Sequence, residues 1–184
     1  MLRGNRELWL AFLAMVAITG LYGLVFFGTR EIPPAGELFG HGIGVVGFLF
    51  MLMTETLYSL RKRSRSVKWG RMSNWLQLHI FTGIVGPYMV LLHTAWKFNG
   101  LAGVTTLFTV IIVVSGFIGR YIFTRIPRTM DGLEIEGTLS QAALKQARRL
   151  MALWHTVHIP IGMALFISAS VHIGAALYYA TFLK

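Results

Sequence analysis

The chain has 184 residues, 55% of them hydrophobic, with 17 lysines and arginines against 7 aspartates and glutamates and a net charge of +10. A mean hydropathy of +0.62 with so few charges is a membrane composition, not that of a soluble globule. Cysteine is absent, which excludes disulfides, thiolate metal sites, iron–sulfur clusters and covalently attached haem; any metal centre must use nitrogen or oxygen ligands or a cofactor held without covalent bonds.

Five stretches reach the roughly 20 mostly apolar residues that cross a bilayer, at about 8–27, 38–60, 75–96, 101–123 and 152–182. They predict an all-α membrane protein, a single integral-membrane domain over 1–184. Arg3 and Arg6 precede the first stretch as in a secretory signal, but the run is too long and no small-x-small cleavage site precedes Pro33 and Pro34, so a retained helix is expected. Residues 28–36 form a turn-rich loop, and 97–100 a very short turn that makes helices three and four antiparallel neighbours. The longest connection, 124–151, holds Pro127, an Asp131-Gly132 turn and the segment TLSQAALKQARRL at 138–150. Helical spacing with Ser140 as a cap predicts an interfacial amphipathic helix there, leading into helix five.

The placement of charge decides what the basicity means. Fourteen of the 17 basic residues lie before helix one, between helices two and three, or at and after the end of helix four; only Arg30, Lys97 and Lys184 fall on the other side. This positive-inside pattern puts the N-terminus in the cytoplasm and the C-terminus outside, as in a multi-pass protein of a bacterial inner membrane. Topogenic and lipid-facing charge accounts for the excess, and nucleic acid is set aside as a partner.

Helix three carries His79 and His93, 14 residues apart, and helix five carries His158 and His172, again 14 apart. That separation keeps two side chains within about 40° of one helix face and sets them about 21 Å apart along the axis. Helices three and five are separated by one helix and so run parallel, which sets His79 level with His158 and His93 level with His172. Between the histidines, the same stripes carry Gly83, Gly86 and Val90 in helix three, and Gly162, Leu165 and Ala169 in helix five. Residues this small let a bulky flat ligand approach the backbone.

Two neutral imidazoles from facing helices are the ligand set of a bis-histidine haem, and without cysteine each haem is of b type. Ionisable groups within membrane spans are rare enough to be functional candidates by default. A zinc or copper site needs three or four converging ligands; each level here offers two, unless His155 joins the cytoplasmic pair.

The paired 14-residue spacing resembles the dihaem membrane cytochromes b, as in the cytochrome b of quinol:cytochrome c reductases, and more loosely the cytochrome b subunits of membrane hydrogenases and formate dehydrogenases. The phrase SGFIGRYIFTRIPR at 115–128 is similar to part of a bacterial cytochrome b group. The resemblance spans helices two to five. It implies that these form a haem-binding four-helix bundle with helix one peripheral, enclosing two stacked haems b, with quinone chemistry near one or both membrane faces. A Pro-Glu-Trp-Tyr quinol-site motif is absent, so no Q-cycle oxidation site follows from it.

Further candidates each have a plainer reading. Glu55 in helix two and His155 in helix five can transfer protons to a quinone on the cytoplasmic side; alternatively Glu55 snorkels to Arg61 and His155 anchors at the interface beside Trp154. His41 opens helix two, either in an external quinone pocket or as an interfacial residue. Arg71, Arg120, Arg125 and Arg128 on one side, and Lys97 and Arg30 on the other, suit haem propionates as well as topology. Thr82 and Thr94 lie one residue off the ligand stripe as possible donors, while Met89 and Met163 read as packing.

With no soluble cofactor domain, the expected role is transmembrane electron transfer as one subunit of a larger quinone-linked respiratory or photosynthetic complex. Its partners would be lipid, the quinone pool and a c-type cytochrome or iron–sulfur subunit. Two alternatives are a haem-bearing anchor that conducts little and a stand-alone transmembrane reductase of external ferric iron or ascorbate radical. If the four histidines act as two separate sites about 21 Å apart, His93→Ala or His172→Ala removes one haem and spares the other; the haem-to-protein ratio and optical spectrum check this.

Overall fold

The structure is a computed structural model that describes residues 5–63, 70–124 and 141–182. Among the described residues there are five helices and no strand: α1 (Arg6–Thr29), α2 (Leu38–Arg63), α3 (Met72–His93), α4 (Gly100–Thr124) and α5 (Gln141–Phe182). All five are long and apolar enough to cross a membrane, which marks a multi-pass membrane protein. Two compact units divide them, the first holding α1 to α3 and the second α4 and α5.

In the first unit α2 and α3 run antiparallel, and their contact is set by glycine. A Cβ on Gly86 would lie 2.9 Å from the Gly47 carbonyl oxygen, and a Cβ on Gly47 would lie 2.9 Å from the Gly86 carbonyl oxygen. The two backbones therefore meet directly, the close approach that small residues permit between helices in lipid. Pro87, which follows Gly86 inside α3, removes one intrahelical hydrogen bond, a loss that membrane helices tolerate when neighbours compensate.

Beside the crossing, Thr54 and Thr82 share a 2.6 Å hydrogen bond between hydroxyls, with Thr82 only 2% exposed. Helix α1 exposes most of its surface and buries Glu7 and Ala11. It adds Ala11 to a core with Ile43, Val85, Met89 and Leu92, and the Thr19 hydroxyl is paired with that of Tyr88 on α3.

The helix ends follow from local chemistry. Helix α1 stops at Arg30, whose left-handed φ of 59° closes the turn while its N–H donates to the Phe26 carbonyl. Pro34 then folds its carbonyl over Gly40 in the first turn of α2, and Phe98 folds its own over Gly103 in the first turn of α4; a Cβ at either glycine would overlap that oxygen. Helix α3 ends three residues short of the sequence expectation, at His93 rather than Trp96. Ala95 and Trp96 both take left-handed φ values, and the Thr94 hydroxyl holds them by donating to the Leu91 carbonyl and accepting the Trp96 N–H.

In the second unit α4 turns small and hydroxylated residues inward. Thr105, Thr106, Thr109, Ser115 and Gly119 are buried, while Val104, Leu107, Val110, Val114, Phe117 and Ile118 are exposed. Each of these threonine hydroxyls donates to the carbonyl four residues back, which satisfies it without water. Thr105 also meets Ser168 of α5 at 2.6 Å.

The buried stripe of α5 includes Gly162, Leu165 and Ala169, the residues that the sequence sets between its two histidines. Its 42 residues span about 63 Å, twice the hydrocarbon thickness. From Gln141 onward the expected interfacial helix is the first part of α5, because no Gly or Pro separates Leu150 from Ala152; Ser140, Pro127 and the Asp131-Gly132 turn lie outside the described residues.

If the Gly47–Gly86 contact sets the α2–α3 pairing, Gly86→Ala costs about 1–3 kcal/mol of stability. Gly20→Ala, where nothing lies within 4 Å, costs nothing measurable. Unfolding of the two variants in mixed micelles checks the difference.

Candidate functional site

The α2–α3 register carries two histidine bonds at equal distances from the glycine crossing. His79 Nδ1 lies 2.9 Å from the carbonyl oxygen of Thr54, and His93 Nδ1 lies 2.8 Å from that of Gly40. His79 and His93 stand seven residues before and after Gly86; Thr54 and Gly40 stand seven after and before Gly47. The 14-residue spacing of the histidines is thus matched by a 14-residue spacing of acceptors on the neighbouring helix.

A carbonyl oxygen only accepts, so each ring donates from Nδ1–H, and in the neutral ring the lone pair then lies on Nε2. This is the tautomer of an imidazole that ligates a metal through Nε2, with the other nitrogen held by an outer partner.

Glycine makes the approach of His93 possible. In a helix the carbonyl of residue i points toward residue i+4, and a side chain there crowds it. Gly44, four residues after Gly40, removes that obstacle: a Cβ on it would stand 2.6 Å from Cγ of His93. His41 adds an edge-to-face ring contact to His93, with centroids 6.3 Å apart.

The second unit repeats the device with different chemistry. His158 Nδ1 lies 3.0 Å from the hydroxyl of Ser115 on α4. Trp154, one turn earlier, donates its indole Nε1–H to the Ser115 carbonyl at 2.7 Å, across Gly119, where a Cβ would overlap the indole. The Trp154 ring stacks on His158, with centroids 4.5 Å apart and planes 29° apart.

Pairs Ser115/His158, Gly119/Trp154 and Thr105/Ser168 keep one antiparallel register. All four histidines of the 14-residue pattern are half-buried, and three of them have a described Nδ1 partner.

The other expected site residues fall as follows. Gly83 and Gly86 serve α2: a Cβ on Gly83 would meet Thr54 at 3.3 Å, and one on Gly86 would meet Gly47, Phe50 and Met51. The structure thus gives the hollows on α3 a helix as neighbour, where the sequence reading put a flat ligand. Gly162 is buried in α5. Thr82 spends its hydroxyl on Thr54 and the Leu78 carbonyl, and Thr94 on the α3 terminus, so neither is aimed at a propionate.

Glu55 is exposed on α2, and His155 is half-buried with its ring 4.7 Å from that of Trp154. Arg71 is exposed at the N-cap position of α3, whereas Arg125 and Arg128 lie outside the described residues. One guanidinium nitrogen of Arg61 donates to the Gly70 carbonyl at 3.4 Å, and its Nε is buried with no hydrogen-bond partner among the described residues.

Among the described residues no three His, Asp or Glu side chains converge on a common metal position. A haem iron needs only two protein ligands, and the donor set here, neutral imidazoles with Nδ1 engaged, is chemically suited to it. Sequence reasoning passed over Gly40 and Gly44, gave Ser115 and Gly119 no role beyond the phrase at 115–128, and named Trp154 only as a neighbour of His155. The usable signals were Gly44 and Gly119, each four residues after an acceptor that a donor side chain reaches, and Trp154 one turn before His158.

Comparison with known proteins finds no family model, no curated relative and no solved structure that matches this chain.

If Gly44 exists to admit His93, then Gly44→Ala displaces the ring and lowers stability by about 1–3 kcal/mol. Gly116→Ala, whose Cβ would sit 4.0 Å from His158, is tolerated. Thermal unfolding in detergent separates them.

Proposed function

We propose that this chain is the membrane subunit of a quinone-linked redox complex of a bacterial inner membrane, carrying electrons through two b-type haems. On this reading His79 with His158 would hold one haem and His93 with His172 the other, the pairing that the two 14-residue spacings imply. Haem bound by two imidazoles supplies reversible one-electron exchange. The N-terminus is cytoplasmic and the C-terminus external, by the distribution of Lys and Arg.

The observation that carries the reading is the tautomer. His79 and His93 sit 14 residues apart in a membrane span, and each gives its Nδ1 proton to a backbone carbonyl. A haem ligand needs its Nε2 lone pair held in one direction, and these two bonds supply that. In the second unit His158 Nδ1 is also engaged, by the Ser115 hydroxyl, which can accept from it or donate to it.

Other residues divide the remaining work. Glu55 follows Thr54, whose carbonyl holds His79, and His155 lies against Trp154. These two are the proton-handling groups for a quinone, because a quinone gains or loses protons with its electrons. Arg71, at the His79 end of α3, and Arg125 are the propionate partners. On this reading the chain is one member of an assembly, with a c-type cytochrome or iron–sulfur subunit as the redox partner.

A pyridine haemochrome spectrum of the chain purified in detergent tests this, with about two haems b per chain expected. A folded chain purified from haem-replete cells without haem would sink the reading.

A further inference from the structure

His79 and His93 are held by backbone carbonyls, which no substitution removes, but His158 is held by a side chain. We propose that Ser115 is a positioning residue for His158, its hydroxyl accepting the Nδ1 proton and its carbonyl holding Trp154 flat against the imidazole. The inference rests on the haem reading above and adds that the haem at His158 is tuned by α4 independently of the one at His93.

The geometry accounts for both rotations of the ligand. The terminal torsion of a histidine ring is broad and only weakly preferred by itself, so an imidazole that must present Nε2 in one direction needs outside constraints. Ser115 Oγ, 3.0 Å from Nδ1, fixes one edge of the ring. The indole of Trp154, stacked at 4.5 Å and 29°, fixes its plane.

The indole is itself fixed by the 2.7 Å bond from its Nε1–H to the Ser115 carbonyl and seated where Gly119 has no side chain. One residue, 9% exposed, therefore sets both constraints through its two oxygens.

An acceptor on Nδ1–H raises the basicity of the imidazole and so favours ferric over ferrous iron. Removing it raises the midpoint potential of that haem alone. The effect expected is about a tenfold change in the oxidised-to-reduced ratio at a given potential, which is 59 mV for a one-electron couple.

The experiment is a spectroscopic redox titration, with low-spin electron paramagnetic resonance, of the full chain in detergent. It compares wild type, Ser115→Ala, Ser115→Thr and Trp154→Phe. In Ser115→Ala two haems remain bound and one midpoint rises while the other holds; Ser115→Thr, which keeps the hydroxyl, restores it. Two bound haems with both midpoints unchanged in Ser115→Ala overturn the positioning role and leave the haem reading standing, whereas a wild-type chain without haem overturns both. Should Ser115→Ala fail to fold, Trp154→Phe decides. It keeps an aromatic ring beside His158 and removes the indole donor together with the fused second ring, so an altered signal from one haem supports the proposal and an unaltered pair of signals refutes it.

Discussion

The contact on which the first unit depends is that between Gly47 and Gly86. Helices in lipid gain nothing from hiding apolar side chains, since lipid tails are as apolar as leucine; they associate through packing and hydrogen bonds. Two glycines facing each other let the backbones of α2 and α3 meet with each carbonyl 2.9 Å from where a Cβ would stand. Side chains two turns away on α3 are then within reach of the α2 main chain itself. His79 and His93 use that reach in opposite directions, onto Thr54 and Gly40. Fixing one close point in an antiparallel pair fixes the register on both sides of it, so a single glycine pair orients two histidines.

The second unit solves the same problem at a wider separation. No glycine pair brings the α4 and α5 backbones together among the described contacts, and side chains bridge instead: Thr105 to Ser168, and Ser115 to His158 and Trp154. Both units place a glycine four residues after the carbonyl to be reached, Gly44 after Gly40 and Gly119 after Ser115. The same rule of helix geometry thus serves an imidazole in one unit and an indole in the other.

Much of this was legible in the sequence and some was not, for physical reasons. Apolar length and hydropathy give the five helices, and the periodicity of histidine gives the candidate ligands, because both are properties of side chains. The acceptors for His79 and His93 are main-chain carbonyls, which every residue possesses, so no residue type at 40 or 54 announces them. Gly83 and Gly86 were visible as small, but smallness does not say what fills the hollow, and α2 fills it. The α3 terminus was misjudged by three residues because Ala95 and Trp96 continue the apolar run while their backbone has already turned left-handed. The amphipathic run before Ala152, expected from its helical spacing to lead into helix five, joins it without a break because no Gly or Pro lies between them.

An imidazole inside a membrane carries one N–H that must find an acceptor, since leaving a polar group unmet in hydrocarbon costs several kcal/mol. In this chain the carbonyls of Thr54 and Gly40 meet that need for His79 and His93 within the polypeptide. The lone pair that remains sits on Nε2, an acceptor and a ligand but not a donor. A site arranged this way has already met the cost of orienting the ring before a ligand arrives, which is the sense in which outer-shell hydrogen bonds raise affinity. The difference between backbone acceptors in one unit and a hydroxyl in the other then acquires meaning. A carbonyl in a helix is fixed in place and strength, whereas a serine hydroxyl can be exchanged by substitution, so the adjustable partner among the three described lies with His158.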